Sequence, residues 1–198
     1  MKLKSVLMAL ALSVVVTPAA WANSLTFQNV TFNMSLNGGN LNLNVVNALN
    51  ANGDWTGIDH LKAFAINNFG DASGLTASSL GATWTTVPGG LSASGGGGCN
   101  GSGGHTCFSA TSPFLALSNN FTITIAKTSG AFNLGLSDGK GLFGPHLKVF
   151  FTGADQGGGH GNLLSKTVPG SVPVPSTLPL LGAGLVGLAI WRRKAIAV

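Results

Sequence analysis

The feature that most constrains the fold is a strict alternation of apolar and polar residues in two neighbouring segments. At 25–36 and at 41–45, Leu, Phe, Val or Met recurs at every second position, apart from one slip at 28–29. This period of two indicates strands with one buried face. The sequence Asn-Gly-Gly-Asn at 37–40 is typical of a hairpin turn between the two strands. We interpret the slip at 28–29 as a β-bulge.

Further segments have the composition of short strands and are separated by Gly-rich turns. They lie at 60–67, 82–86, 120–127, 131–136 and 146–152. Strands do not alternate with helical segments, which argues against a parallel α/β fold. The sequence therefore predicts an all-β protein, whose antiparallel body at 23–170 is a β-sandwich or resembles a jelly-roll. A body of this length can bury one core.

The net charge of +5 resides in the ends of the chain and not in this body. Two lysines lie before residue 5 and three basic residues lie at 192–194, which accounts for the whole excess. Residues 23–170 contain five Lys and five Asp, with no Arg and no Glu. A nucleic-acid interface needs clustered basic residues, so we expect no nucleic-acid partner.

Residues 1–22 have the layout of a secretory signal peptide. Lys2 and Lys4 precede an apolar run at 6–16, and Ala-Trp-Ala at 20–22 provides small residues for cleavage after Ala22. The alternative is a first membrane-spanning or core helix, but the run is short for a span. Export would place the body where disulfides persist.

Residues 171–198 have the layout of a short membrane anchor. An apolar run at 178–191 follows a Pro-containing stretch and ends at a basic cluster at 192–194. The run is shorter than the roughly 20 residues of an ordinary span. The basic cluster favours the cytoplasmic side and leaves the body outside. We expect a short transmembrane helix in the inner membrane, permanent or removed by processing. The alternative is a buried C-terminal helix.

This tail resembles a PEP-CTERM sorting signal, which combines a Pro-Glu-Pro-like motif, a short Leu/Gly-rich apolar segment and an Arg-rich end. The residues that carry the resemblance are Pro173, Val174, Pro175, Ser176, Thr177, Arg192, Arg193 and Lys194. Val174 occupies the position where Glu is usual. The resemblance implies a Gram-negative host that makes exopolysaccharide, and processing by an exosortase, a membrane cysteine protease. It also implies a body that is periplasmic before processing and then lies at the cell surface or in the extracellular matrix.

A Gly-rich segment at 88–107 is predicted to be a flexible surface loop. Cys99 and Cys107 are the two cysteines of the chain, and in an exported protein they are expected to form a disulfide. A metal site with His105 is the alternative, but zinc normally needs four ligands. A redox-active pair would have the closer Cys-x-x-Cys spacing.

Four residues are candidates for ligand binding. Trp55 and Trp84 could stack on sugar rings, although an indole inside the core is the commoner outcome. Asp54 and Asp59 could contribute oxygen ligands to calcium, although such residues more often cap turns. No other metal site and no cofactor is expected.

We expect an exported, non-catalytic protein of the cell envelope or extracellular matrix. By its resemblance to PEP-CTERM proteins, its role lies in an exopolysaccharide or biofilm environment. The alternative is a carbohydrate-binding module that uses Trp55 or Trp84. A hydrolase is the third possibility, but no Gly-x-Ser-x-Gly elbow is present, and the acids of a glycosidase would have to come from scattered Asp residues.

Overall fold

The computed structural model describes residues 22–92, 98–137, 139, 141–153 and 163–170. The predicted signal peptide, except for Ala22, and the sorting tail at 171–198 lie outside these ranges. Within them, no helix is both long enough and apolar enough to cross a membrane. The regular structure is almost entirely β. In chain order, the strands are β1 (Ala22–Phe27), β2 (Val30–Asn37), β3 (Asn40–Val46), β4 (His60–Asn67), β5 (Thr76–Ser78), β6 (Trp84–Ser92), β7 (Gly98–Ala110), β8 (Leu115–Ala116), β9 (Asn120–Ala126), β10 (His146–Thr152) and β11 (Leu163–Thr167).

The strands form two antiparallel sheets. Sheet A has the order β1-β2-β3-β9-β5, and sheet B has the order β11-β10-β4-β7-β6, with β8 paired to β4. Two short 3-10 turns, Ala48–Asn50 and Gly53–Trp55, lie between β3 and β4. The prediction of an all-β, antiparallel body is therefore confirmed. The sheets curl as a half-barrel, and closure as a sandwich or jelly-roll stays a prediction.

One apolar core joins the inner faces of both sheets. Phe32 of sheet A lies 6.4 Å from Phe151 of sheet B, measured between ring centroids. Trp55, from the loop between the sheets, contacts both rings edge-on. The core residues of β2, β3 and β9 alternate with polar residues along each strand, as the sequence pattern requires.

The two hairpins of sheet A follow from left-handed residues at their turns. At 37–40, Gly38 and Gly39 have φ of 56° and 80°, and Asn37 pairs with Asn40, so the predicted turn is confirmed. At 28–29 the predicted β-bulge is wrong. Phe27 pairs directly with Val30, and the two residues between them have φ of 47° and 68°, which makes a tight two-residue turn. A tight turn and a bulge shift the alternation in the same way, so the pattern alone did not separate them.

The strand predictions at 60–67, 120–127 and 146–152 match β4, β9 and β10 closely. The segment predicted at 82–86 begins two residues before the longer β6 and covers its first three residues. The strand predicted at 131–136 is wrong. Phe132 and Leu134 are buried, but the segment has only an isolated bridge to Gly70 instead of a ladder. The apolar alternation in this segment reflects buried side chains, although the backbone does not pair as a strand.

The prediction of a flexible loop over the Gly-rich segment is also wrong for the residues that the structure describes. Residues 88–92 and 98–104 belong to β6 and β7, and they pair with each other at the tip of a hairpin. Gly101 sits so close to Gly90 that a Cβ atom added to it would lie 2.9 Å from the Gly90 carbonyl carbon. The glycines permit close backbone approach here.

Asn23 closes the corner at which the described body begins and ends. Its side chain is fully buried, and its Nδ2 donates to the carbonyl oxygens of Leu134 and Val168, both at 3.0 Å. Asn23 also forms a bridge with Gly170, the last described residue. One buried amide therefore links β1 to two segments that are more than 100 positions away in the chain.

We predict that Asn23→Ala lowers the free energy of unfolding by about 1–3 kcal/mol, because two buried carbonyl groups lose their donor. Denaturant unfolding of the purified exported protein measures this change. Asn37→Ala, in an exposed turn, is the control and should change stability by less than about 0.5 kcal/mol. Equal effects of the two substitutions would contradict a special role for Asn23.

Candidate functional site

The Cys99–Cys107 disulfide shapes the outer face of sheet B, the face turned away from the shared core. The two Sγ atoms are 2.09 Å apart and the Cα atoms 5.5 Å apart, so the predicted disulfide is confirmed. Both cysteines lie in β7, where eight extended positions would span about 26 Å. The chain between them therefore folds back on itself. The metal site with His105 is excluded for these cysteines, since both sulfurs are bonded to each other.

The tip of the β6–β7 hairpin lies against sheet B as a small second core. Ala63 and Ala65 of β4 and Phe150 of β10 point outward here, and with Cys107 they form a buried cluster that includes Leu91. Leu91 is only 2 % exposed. Cys99 packs at the edge of the same cluster. The disulfide thus ties the hairpin tip over an apolar patch that would otherwise contact water.

Beside this patch the outer face of sheet B becomes polar and forms a groove of about 730 Å³, called here the outer groove. The strand register explains its composition. His146 of β10 is opposite Asn67 of β4 and Thr167 of β11, and Lys148 is opposite Ser165 of β11. Its lining includes Asn67, His105, His146, Lys148, Ser165 and Thr167.

Two imidazoles meet in the outer groove. The rings of His105 and His146 are 5.7 Å apart and nearly perpendicular. His146 Nε2 hydrogen-bonds with Ser165 Oγ at 3.0 Å. Both nitrogens of His105 are buried and have no hydrogen-bond partner among the described residues. Burial, and then the positive charges of Lys148 and His146, lower the pKa of His105 below its ordinary value.

Sequence reasoning did not find this groove. His146 and Lys148 alternate with buried Leu147 and Val149, so the pattern could have placed both on an outer face. What brings them together with His105 is the register of β4 with β7 and β10, which no local pattern reveals.

The candidate sugar platforms have different environments. Trp55 is fully buried and contacts Phe27, Phe32 and Phe151 edge-on, so it offers no ring face to a ligand. This corrects the interpretation of Trp55 as a binding residue. Trp84 is half-buried, packs edge-on against Phe64 at 5.1 Å and donates its indole N–H to Ser79 Oγ. A sugar-binding role for Trp84 stays a prediction.

The two candidate calcium ligands contact other side chains of the described body. Asp54 accepts a hydrogen bond from Gln28 Nε2 at 3.3 Å, and Asp59 Oδ1 lies 2.6 Å from Nδ1 of neighbouring His60. Within the described ranges, no group of three or more His, Cys, Asp or Glu is placed to hold a metal ion. Neither contact is to a backbone group of the residue's own turn, so the calcium and turn-capping interpretations of both residues stay predictions.

Sheet A presents a different surface on its outer face, which consists of uncharged polar ladders. Ser24, Asn33, Asn44 and Thr122 are in register across four strands. Ser24 Oγ donates to Asn33 Oδ1 at 2.8 Å, and Asn44 Nδ2 donates to Thr122 Oγ1 at 3.0 Å. The row beside it contains Ser35, Asn42, Thr124 and Ser78. This face carries hydroxyl and amide groups in both rows and no charge.

Comparison with known proteins identifies the tail. Residues 171–194 match the family model of the PEP-CTERM protein-sorting motif, so the resemblance seen in the sequence is confirmed. The match covers all eight proposed motif positions. It implies a precursor that is exported, anchored in the membrane and processed by an exosortase. No curated protein and no solved structure matches the chain.

We predict that the double substitution Cys99→Ser and Cys107→Ser lowers the free energy of unfolding by about 2–3 kcal/mol, because the unfolded chain gains freedom. The tip of the β6–β7 hairpin should also loosen and expose the apolar patch of Ala63, Ala65 and Phe150. A dye that binds apolar surface should then fluoresce more strongly. Reductant should produce both changes in the wild-type protein and neither in the variant. Unchanged stability and dye binding in the variant would show that the tip stays in place without the disulfide.

The lowered pKa of His105 gives a pH dependence of stability. The folded state binds fewer protons at this ring than the unfolded state, so the stabilisation is complete above about pH 6.5 and is lost as the pH falls below it. We predict that His105→Asn flattens this part of the curve. Denaturant midpoints measured between about pH 5 and pH 8 test this. Parallel losses in both proteins would assign the dependence to other groups.

Proposed function

We propose that the chain is a non-catalytic protein of the cell envelope or extracellular matrix that associates with exopolysaccharide. The observation that carries the proposal is the sorting motif at 171–194, joined to a β body with an uncharged polar face. The motif supports export and sorting by an exosortase. The uncharged polar face of the body supports a role in binding other molecules instead of catalysis.

The outer face of sheet A suits contact with hydrated polysaccharide. Its amide and hydroxyl groups both donate and accept hydrogen bonds, as sugar hydroxyls do. Neighbouring strands repeat about every 4.8 Å, so the groups recur at regular intervals across the sheet. An uncharged face does not repel a second neutral surface, and mutual association is therefore easier than on a highly charged protein.

The acids of the described body support a non-catalytic role. Asp71 Oδ1 accepts a hydrogen bond from the backbone N–H of Ala131 at 2.7 Å, and Asp54 and Asp59 have the side-chain contacts given above. Glycoside hydrolysis needs two carboxyl groups that face one substrate at a defined separation. Asp71 and Asp54 instead accept hydrogen bonds from residues 60 and 26 positions away, and Asp59 contacts neighbouring His60.

The proposed pathway begins with removal of the signal peptide at 1–22 and insertion of the tail at 171–198 into the inner membrane. The body then occupies the periplasm until the exosortase acts near Pro173 and Pro175. Val174 in place of the usual Glu removes an acidic contact from the motif. We therefore propose slower processing than for a Pro-Glu-Pro tail.

A carbohydrate-binding module is the second candidate function. The polar ladders of sheet A favour it. Trp84, on β6 of sheet B, is the remaining candidate for stacking on a sugar ring, through the exposed part of its indole. Such a module would bind a purified polysaccharide in solution, whereas a matrix protein can be retained by many weak contacts. A hydrolase is the third candidate and gains no support from the described acids.

We predict that removal of residues 171–198 releases the protein into the periplasm or medium, because the membrane signal is lost. The intact chain should be found first in the membrane and then, shortened, in the exopolysaccharide fraction. Fractionation of the host followed by immunodetection and mass measurement distinguishes these locations.

Val174→Glu is the matched variant, since it changes the motif without removing the anchor. It should increase the ratio of shortened to intact protein. Retention of both the intact and the truncated chains in the cytoplasm would refute the proposal, and shortened protein that is absent from the polysaccharide fraction would refute the matrix role.

A further inference from the structure

The outer groove is lined by two of the five lysines of the body, Lys148 and Lys166, and by two histidines. Lys148 lies on its floor, between the strands that carry Ala65 and Ser165, with the imidazoles of His105 and His146 beside it. None of the lining residues that the structure describes is acidic. Nor does any described carboxylate form an ion pair with Lys148. Among the described residues, therefore, no carboxylate neutralises the ammonium group of Lys148.

His105 provides a second and independent observation. Its two ring nitrogens are shielded from water and have no partner in the described part of the chain. Buried polar atoms normally have a hydrogen-bond partner. The two ring nitrogens of His105, at the wall of the groove, have none among the described residues and therefore call for an explanation. Asn67 Oδ1, opposite His146 in the register, is also buried without a partner. A polar ligand would supply partners for both residues.

We propose that the outer groove binds a carboxylate group of an acidic glycan. Lys148 and His105 face the carboxylate, and Asn67 and Ser165 face the hydroxyl groups of the sugar. The choice of a glycan rests on the proposed function in an exopolysaccharide matrix. The assignment of an anion to the groove does not depend on it.

The dimensions of the groove favour a sugar acid over a small inorganic anion. Its volume of about 730 Å³ lies within the range of about 300–1,000 Å³ that is common for small-molecule sites. A lone phosphate would leave most of this space to water. The hydroxyl and amide groups of Ser165, Thr167 and Asn67 lie along the wall, where a polyhydroxylated ring would contact them.

Lys166 also lines the groove but is not counted as a ligand. Its Nζ lies 6.0 Å from the centroid of the Phe27 ring, on the side of β11 opposite Ser165 and Thr167. Lys148 is therefore the fixed positive charge of the site. This distinction makes the two lysines experimentally separable.

Binding in this site is coupled to protonation of His105. The groups that face its ring are His146 and Lys148 on β10 and the uncharged Asn67 on β4, while Lys166 lines the groove from β11. In the free protein, burial and the nearby positive charges keep the pKa of His105 low. A bound carboxylate opposes that effect and raises the pKa, so binding takes up a proton. Affinity therefore rises as the pH falls.

Calorimetry of the exported protein with an oligomer of galacturonic acid tests the proposal. We expect binding to be at least about threefold tighter at about pH 5.5 than at about pH 7.5, because His105 protonates on binding. Lys148→Gln should weaken binding by about fivefold or more, since it removes the fixed charge. Lys127→Gln makes the same charge change after β9 in sheet A, away from the groove, and should change affinity by less than about twofold.

His105→Asn provides the second variant and should retain binding while reducing the pH dependence, because His146 remains in the groove. Thermal unfolding of each variant verifies that the fold is intact. Equal binding of a neutral glucose oligomer, equal losses in Lys148→Gln and Lys127→Gln, or no binding at all would overturn the anion site. Binding of inorganic phosphate without binding of the galacturonate oligomer would overturn the glycan assignment, and it would leave the sorting and matrix location, tested by fractionation, unaffected.

Discussion

The packing of aromatic rings between the two sheets is the interaction on which the rest of the structure depends. Trp55 contacts Phe27 and Phe32 of sheet A and Phe151 of sheet B, with centroid distances of 5.0–6.0 Å. Each edge-on contact contributes about 0.5–1.5 kcal/mol beyond the burial of apolar area. Because this cluster and the aliphatic residues around it fill the inner faces, the outer faces are left to present polar groups. Because the core is filled by residues of the inner faces, the side chains of both outer faces are available for the proposed binding.

The outer faces differ because their sequences alternate differently. In sheet A the outward positions are Asn, Ser and Thr in adjacent strands, and their side chains hydrogen-bond to one another across the strands. In sheet B the outward positions change along β10 from apolar Phe150 to the basic residue Lys148 and then to His146. The disulfide-tied hairpin covers the apolar part and places His105 beside the basic part. The Cys99–Cys107 disulfide thus holds the hairpin over the apolar patch and leaves the neighbouring outer groove open.

The local sequence pattern was sufficient to predict much of this fold, but it predicted no part of the outer groove. Alternation predicted β2, β3, β9 and β10 because each has one buried face. It failed at 131–136, where Phe132 and Leu134 are buried without a ladder. Glycine content at 88–104 suggested flexibility, because composition carries no information about pairing register. The outer groove depends on four strands, β4, β7, β10 and β11, and its residues could be assembled only after the register of these strands was known.

The bridge between Asn23 and Gly170 places the two junctions of the body at one corner. In the proposed function, the neutral ladders of sheet A and the outer groove of sheet B contact different polymer chains, because they lie on the outer faces of different sheets. Such a protein would act as a crosslink of mixed specificity, and the strength of the crosslink would follow the acidity of the surrounding matrix.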